Sequence, residues 1–200
     1  MLGIVVPFWN PFGSRDRLEN LERCLAILRA NPAVQVLCVE LVGDYRSGMA
    51  DVALTGESRS VYIWQKERLV NHGCTMLAGQ GVDFLGYVDS DCLFVDQGWD
   101  ARILEQFDKG CNVVQGFSRA IGEDHAVPAA LAAFPAMGDR LHGGSMFLHR
   151  DLFQDVGRLL RVLHRRRRRS CVDDGGYRRL PKRELDLSRR SPPGTCESLA

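Results

Sequence analysis

Apolar residues cluster along the first 157 positions in two periods, one of strands and one of helices. Gly3-Ile4-Val5-Val6-Pro7-Phe8 is a short apolar, β-branched run ended by aromatic and proline residues, and predicts a buried strand over 3–8. After the polar loop Asn10 to Ser14, residues 15–30 place Leu18, Leu21, Leu25 and Leu28 at spacings of three and four, one face of a helix that Asn31-Pro32 stops. Val34 to Leu41 predicts a second buried strand, and the glycine- and charge-rich stretch 43–59 a loop. Ser60 to Trp64 suggests a third strand, and Lys66 to Ala78 a helix with Leu69, Met76 and Leu77 inward. Phe84 to Val88 predicts a strand, Trp99 to Phe107 a helix and Asn112 to Phe117 another strand. Residues 119–140 read as an irregular loop, 141–148 as a glycine-bearing strand and 151–156 as a short helix.

Strands alternating with helices imply an α/β fold with a mainly parallel central sheet flanked by helices. Ligands of such sheets bind outside the carboxyl ends of the strands. Three polar clusters fall there: Asn10 to Arg15, Glu40 to Asp44, and Asp89-Ser90-Asp91. In an extended stretch, positions i and i+2 point the same way, so Asp89 and Asp91 are expected to project together. Two adjacent carboxylates repel unless a cation neutralises them or one is protonated. Mg²⁺ and Mn²⁺ take oxygen ligands, often one or two carboxylates plus substrate phosphates. The same spacing also fits a solvated turn or a cap on the next helix.

The order of motifs resembles the family 2-like glycosyltransferases of the GT-A fold (nucleotide-diphospho-sugar transferases) over roughly residues 3–157. The first strand with Pro7 and Asn10 is similar to their nucleotide-contacting loop, and the strand carrying Glu40 to the one whose terminal acid meets the base. Lys66-Glu67-Arg68-Leu69-Val70-Asn71-His72-Gly73 resembles their "aRN.G" helix, and Phe84 to Asp91 their "fl.flDsD" strand. Gly143-Gly144-Ser145-Met146-Phe147, with Arg150, Phe153 and Gly157, is similar to the "GG.f...r..F...G" stretch of galactosyl- and N-acetylgalactosaminyl-transferases.

The resemblance implies a metal-assisted transferase moving a sugar from a UDP- or GDP-linked donor to a carbohydrate, lipid or protein acceptor. It implies Asp91 as direct metal ligand, with Asp89 acting through the metal or the ribose. Pro7, Asn10, Arg15, Glu40, Arg68 and Asn71 line the nucleotide, and Gly143 and Gly144 let the backbone approach the donor sugar. Each has a plainer reading: Glu40 ends a strand, Arg68 pairs with Glu67 or Asp44, Asn71 lies on a helix surface, Gly143-Gly144 forms a β-bulge and His142 is a turn residue. Trp64 and Trp99 are expected in the core. A truncated, non-catalytic nucleotide-sugar binder is one alternative. A sugar-phosphate nucleotidyltransferase is another, although the glycine-rich loop that it needs is replaced by Pro7-Phe8-Trp9-Asn10-Pro11.

Charge alters the picture beyond residue 157. Residues 1–157 hold 13 Lys and Arg against 20 Asp and Glu, whereas residues 158–200 hold 13 against 5. The family continues into a "GGG(E/D)D" motif whose acid is the base of its inverting members, and often into a later metal-binding histidine. Here Leu163-His164 and the arginines Arg165 to Arg169 stand instead. Arginine codons of the CGG type become glycine codons one nucleotide later. CTT CAT CGT CGG CGG CGG CGA, shifted so, reads Phe-Ile-Val-Gly-Gly-Gly and then Asp or Glu. The expectation is a catalytic domain over 1–157, C-terminally incomplete, followed by a disordered or out-of-frame tail over 158–200. The coding sequence around Leu160 tests this. A basic tail can also meet nucleic acid, but this one has no aromatic interleaving beyond Tyr177 and no recognition fold, so nucleic acid is not an expected partner. Asp124, Asp139 and Asp173 are candidate general bases without a motif around them.

The seven cysteines form no CxxC pair, which argues against a zinc site or disulfide framework and for reduced thiols. With no run of about 18 apolar residues and no secretory leader pattern, the expected location is cytoplasmic.

Overall fold

The computed structural model describes residues 1–56, 60–94, 96–117 and 144–156. Gly143, His142, Asp124, Asp139, Asp173, the 119–140 loop and the tail lie outside the described residues.

The strands are β1 (Leu2–Trp9), β2 (Val34–Val42), β3 (Val52–Thr55), β4 (Phe84–Val88), β5 (Val113–Gln115) and β6 (Ser145–His149). The helices are α1 (Arg15–Arg29), α2 (Lys66–Gly79), α3 (Trp99–Asp108) and α4 (Arg150–Val156). The strands form one six-stranded sheet among the described residues, in the order β3-β2-β1-β4-β6-β5. β1 pairs in parallel with β2 and β4, and β2 with β3, while β6 runs antiparallel to β4 and β5. The α/β fold with a mainly parallel sheet is therefore as the alternation implies.

β1 is central, so both its faces are covered, and its alternate side chains enter two cores. Leu2, Ile4, Val6 and Phe8 pack with Leu21, Cys24, Leu25 and Leu28 of α1 and with Trp99, Ile103 and Phe107 of α3. Val5 packs on the other face with Leu69, Val70, Cys74 and Leu77 of α2 and with Phe153 of α4. The leucine spacing of α1 holds, with Leu18 only partly buried. In α2, Leu69 and Leu77 are inward, but Met76 is only half-buried. Gly73 brings α2 close to the sheet: a Cβ there would lie 2.6 and 2.7 Å from the γ carbons of Val5.

Two expectations change. Ser60 to Trp64 is not a strand; Ser60–Tyr62 forms a 3₁₀ turn. The indole N–H of Trp9 donates to the Val61 carbonyl at 2.6 Å and the ring stacks on Trp64, so tertiary contacts draw this stretch onto the end of β1. The third strand lies instead at Val52–Thr55, in the stretch read as loop. Asp51 fastens its start to β2, donating its N–H to the Cys38 carbonyl and accepting the Cys38 N–H on Oδ2. Trp99 is buried as expected, but Trp64 is 41% exposed. Among the described residues, Cys24, Cys38, Cys74 and Cys92 are free thiols. Among the described residues no helix is long and apolar enough to cross a membrane.

Candidate functional site

The connections determine where a crevice opens. β1 leads through α1 to β2 on one side, whereas the chain returns through α2 to β4 on the other. The carboxyl ends of β1 and β4 are thus a topological switch point, where open α/β sheets bind ligands. The β1–β4 ladder stops at Val5↔Tyr87. Pro7 lies beyond that point, paired only with Val39 of β2, a position that tolerates a residue without an N–H.

The loop leaving β1 is held by Asn10. Its side-chain amide donates to the Ser14 carbonyl at 2.9 Å, its Oδ1 accepts the Ser14 N–H at 2.8 Å, and the residue is buried. Asn10 therefore shapes the rim from within. Arg15 is exposed and pairs with Glu19 one helical turn on. The loop after β2 is held in the same manner. Glu40 is 1% exposed; its Oε1 accepts the Ser47 N–H at 2.9 Å and its Oε2 the Ser47 hydroxyl at 3.0 Å. Glu40 does not end β2, which runs on to Val42. Arg68 donates to the Gln65 side chain rather than to Glu67 or Asp44, and is exposed. Asn71 is buried in α2 rather than on a helix surface, with its carbonyl accepting the Thr75 hydroxyl.

Asp89-Ser90-Asp91 departs from the extended geometry expected. The Cys92 N–H donates to the Asp89 carbonyl at 2.9 Å, closing a β-turn directly after β4, so the alternation argument does not apply. The two carboxylates have different surroundings. Asp91 is exposed, and the Cys92 thiol lies 3.7 Å from its Oδ1. Asp89 is partly buried and meets the Lys66 ammonium at 2.5 Å through Oδ1 and 2.6 Å through Oδ2. Its Oδ2 also accepts the Gly144 N–H at 3.0 Å, while its own N–H donates to the Gly144 carbonyl at 2.7 Å. Gly144 thus extends the β4–β6 ladder by one pair beyond Val88↔Ser145. Its φ of +73° and the Phe117 ring beside it explain the glycine.

Lys66 is the residue that sequence reasoning missed. It is the first residue of α2, 23 positions from Asp89, and its ammonium lies 4.4 Å from the Tyr87 ring centre. Burial pushes Tyr87 up to about 12, with the Asp89 charge adding to it. Burial likewise pushes the Cys24 and Cys92 thiols up to about 12, and Asp91 and Asp89 add to both. Both thiols are protonated near neutral pH and offer no nucleophile. An aromatic rim stands beside the loops: Phe12 stacks on Tyr62, whose hydroxyl donates to Asp44 at 2.5 Å.

The donor set fits a divalent cation in one form only. Among the described residues no three His, Cys, Asp or Glu side chains gather to hold a metal. Asp89 already gives its oxygens to Lys66 and Gly144, and Asp91 remains for an incoming cation. A hard cation held by one carboxylate completes its shell with phosphate oxygens and water.

No family model matches the chain, and no curated protein matches it. Among solved structures, the chain is similar to the M. tuberculosis glucosyl-3-phosphoglycerate synthase, with 16% sequence identity and a TM-score of 0.44. The match covers 76% of this chain and 58% of that one, so the chain spans less than two thirds of that protein's length.

Proposed function

We propose that this chain is the donor-binding part of a nucleotide-sugar glycosyltransferase, with the donor diphosphate lying over the Asp89–Cys92 turn. The observation that carries the reading is the meeting of Asp89, Lys66 and Gly144 at the switch point between the ends of β1 and β4, with Asp91 exposed two residues on in the same turn. A diphosphate seeks cations at its oxygens, and Lys66 supplies one at a fixed point. A Mn²⁺ or Mg²⁺ ion on Asp91, with Asp89 beside it, would neutralise the charge that develops on the leaving diphosphate. Gly144 holds the Asp89 carboxylate, and Asn10 and Glu40 hold the loops that bound the nucleotide. In this reading Pro7, Asn10, Arg15, Glu40, Arg68 and Asn71 border the nucleotide, and Gly143 and Gly144 the donor sugar.

Such chemistry is chiefly electrostatic stabilisation of the departing diphosphate. It also needs a base to deprotonate the acceptor hydroxyl, and no described residue is assigned that role. Release of free sugar from a panel of UDP- and GDP-linked donors, with Mn²⁺ present, tests the reading. Turnover abolished by Asp91→Ala supports a transferase. Donor binding without turnover supports the truncated binder.

A further inference from the structure

We propose that Lys66 is the resident counter-cation of Asp89, so that a divalent cation joins the site only on Asp91 and only together with the diphosphate. The inference deepens the function proposed above and rests on it for the diphosphate alone. The ammonium meets both Asp89 oxygens, at 2.5 and 2.6 Å. The Gly144 N–H fixes Oδ2 from another side, and the Tyr87 ring lies against the ammonium. The two side chains are only 19% and 24% exposed, so solvent competes weakly for either charge. Charge-assisted contacts of this kind are the strong ones. A metal ion bridging Asp89 and Asp91 would have to expel Lys66 and leave a partly buried ammonium without its partner. Asp91, by contrast, is open to solvent and has no competing cation among the described residues.

A cation held by Asp91 alone would complete its shell with diphosphate oxygens and water, and Lys66 would offer the same group a fixed charge.

The test is Mn²⁺ binding to the nucleotide-free protein, followed by electron paramagnetic resonance. Lys66→Met frees Asp89 and should tighten Mn²⁺ binding by about tenfold or more, the scale of one charge-assisted hydrogen bond. Lys66→Arg keeps the charge and should bind as weakly as the unaltered chain. Adding Asp89→Asn to Lys66→Met should remove the gain. If Lys66→Met binds Mn²⁺ no more tightly than the unaltered chain, the proposal is overturned. Circular dichroism checks folding, and Lys66→Gln, read identically, serves if the methionine variant does not fold. A calorimetric arm uses UDP and GDP in EDTA, where the unaltered chain should retain binding that Lys66→Met loses. If neither nucleotide binds any form while Mn²⁺ tightens as expected, the counter-cation stands and the diphosphate reading fails.

Discussion

Replacing Gly144 by alanine tests how the Asp89 carboxylate is held. The residue has φ +73°, where a side chain on an L-residue costs about 1–2 kcal/mol. An added Cβ would also lie 2.5 Å from Phe117 Cζ, closer still to the neighbouring Cε1, and 3.4 Å from the Cys92 sulfur. Overpacking of this kind costs about 1–3 kcal/mol. The loss of unfolded-chain freedom offsets about 0.4–1 kcal/mol. The net expectation is a destabilisation of about 1–5 kcal/mol, measured by urea unfolding. The two components separate in a double-mutant cycle. In a Phe117→Ala background the overpacking disappears and the strain of positive φ remains, so the coupling should be about 1–3 kcal/mol. The cycle has a second reading, because the Gly144 N–H donates to Asp89 Oδ2 and any backbone shift reaches the site. A loss below about 0.5 kcal/mol, within the ordinary range for surface substitutions, would refute the reasoning, as would a cycle without coupling.

Three further outcomes follow from the packing. Gly73→Ala should destabilise by about 1–3 kcal/mol in urea, because both γ carbons of Val5 lie in the way, and Val5→Ala should relieve part of the loss. Glu40→Ala should cost about 1–3 kcal/mol by thermal or urea unfolding, since the Ser47 N–H and hydroxyl then both lose their acceptor. Stability should also fall in alkali: burial raises the Cys24, Cys38 and Cys74 thiols from 9.0 to about 12. The folded chain keeps protons that the unfolded chain releases, so this contribution is intact below about pH 9 and is lost towards pH 12. Each buried thiol should account for roughly 1 kcal/mol by pH 10; urea unfolding of Cys74→Ala should show a shallower decline than the unaltered chain.

The elements visible in the sequence are those whose pattern is set by burial on one or two faces. β1 is apolar throughout because both faces are covered, and the leucine spacing of α1 follows from packing on one of them. Val52–Thr55 and Ser60–Tyr62 differ from the pattern-based expectation for a physical reason. β3 is a four-residue strand whose start is fastened by the Asp51 carboxylate, a contact that no periodicity displays. Ser60–Tyr62 has strand-like composition, but the Trp9 indole takes the Val61 carbonyl. At the candidate site, the D-x-D spacing singles out Asp89 and Asp91 and implies an extended chain; the turn closed by Cys92 gives them unlike surroundings. Lys66 carries no local signal in the sequence, because its partner is 23 positions away. The resemblance implies that Asn10 and Glu40 line a nucleotide; in the fold their polar atoms hold Ser14 and Ser47 and so shape the loops around it.

The proposed function requires the Asp89–Cys92 turn to hold a nucleoside diphosphate. Calorimetric titration with UDP and GDP, each with and without Mn²⁺, addresses it most directly. Saturable binding of one of them, strengthened by Mn²⁺, is expected, with Asp91→Ala abolishing the Mn²⁺ enhancement. Heats of dilution alone for both nucleotides, with Mn²⁺ present and the protein folded, would contradict it.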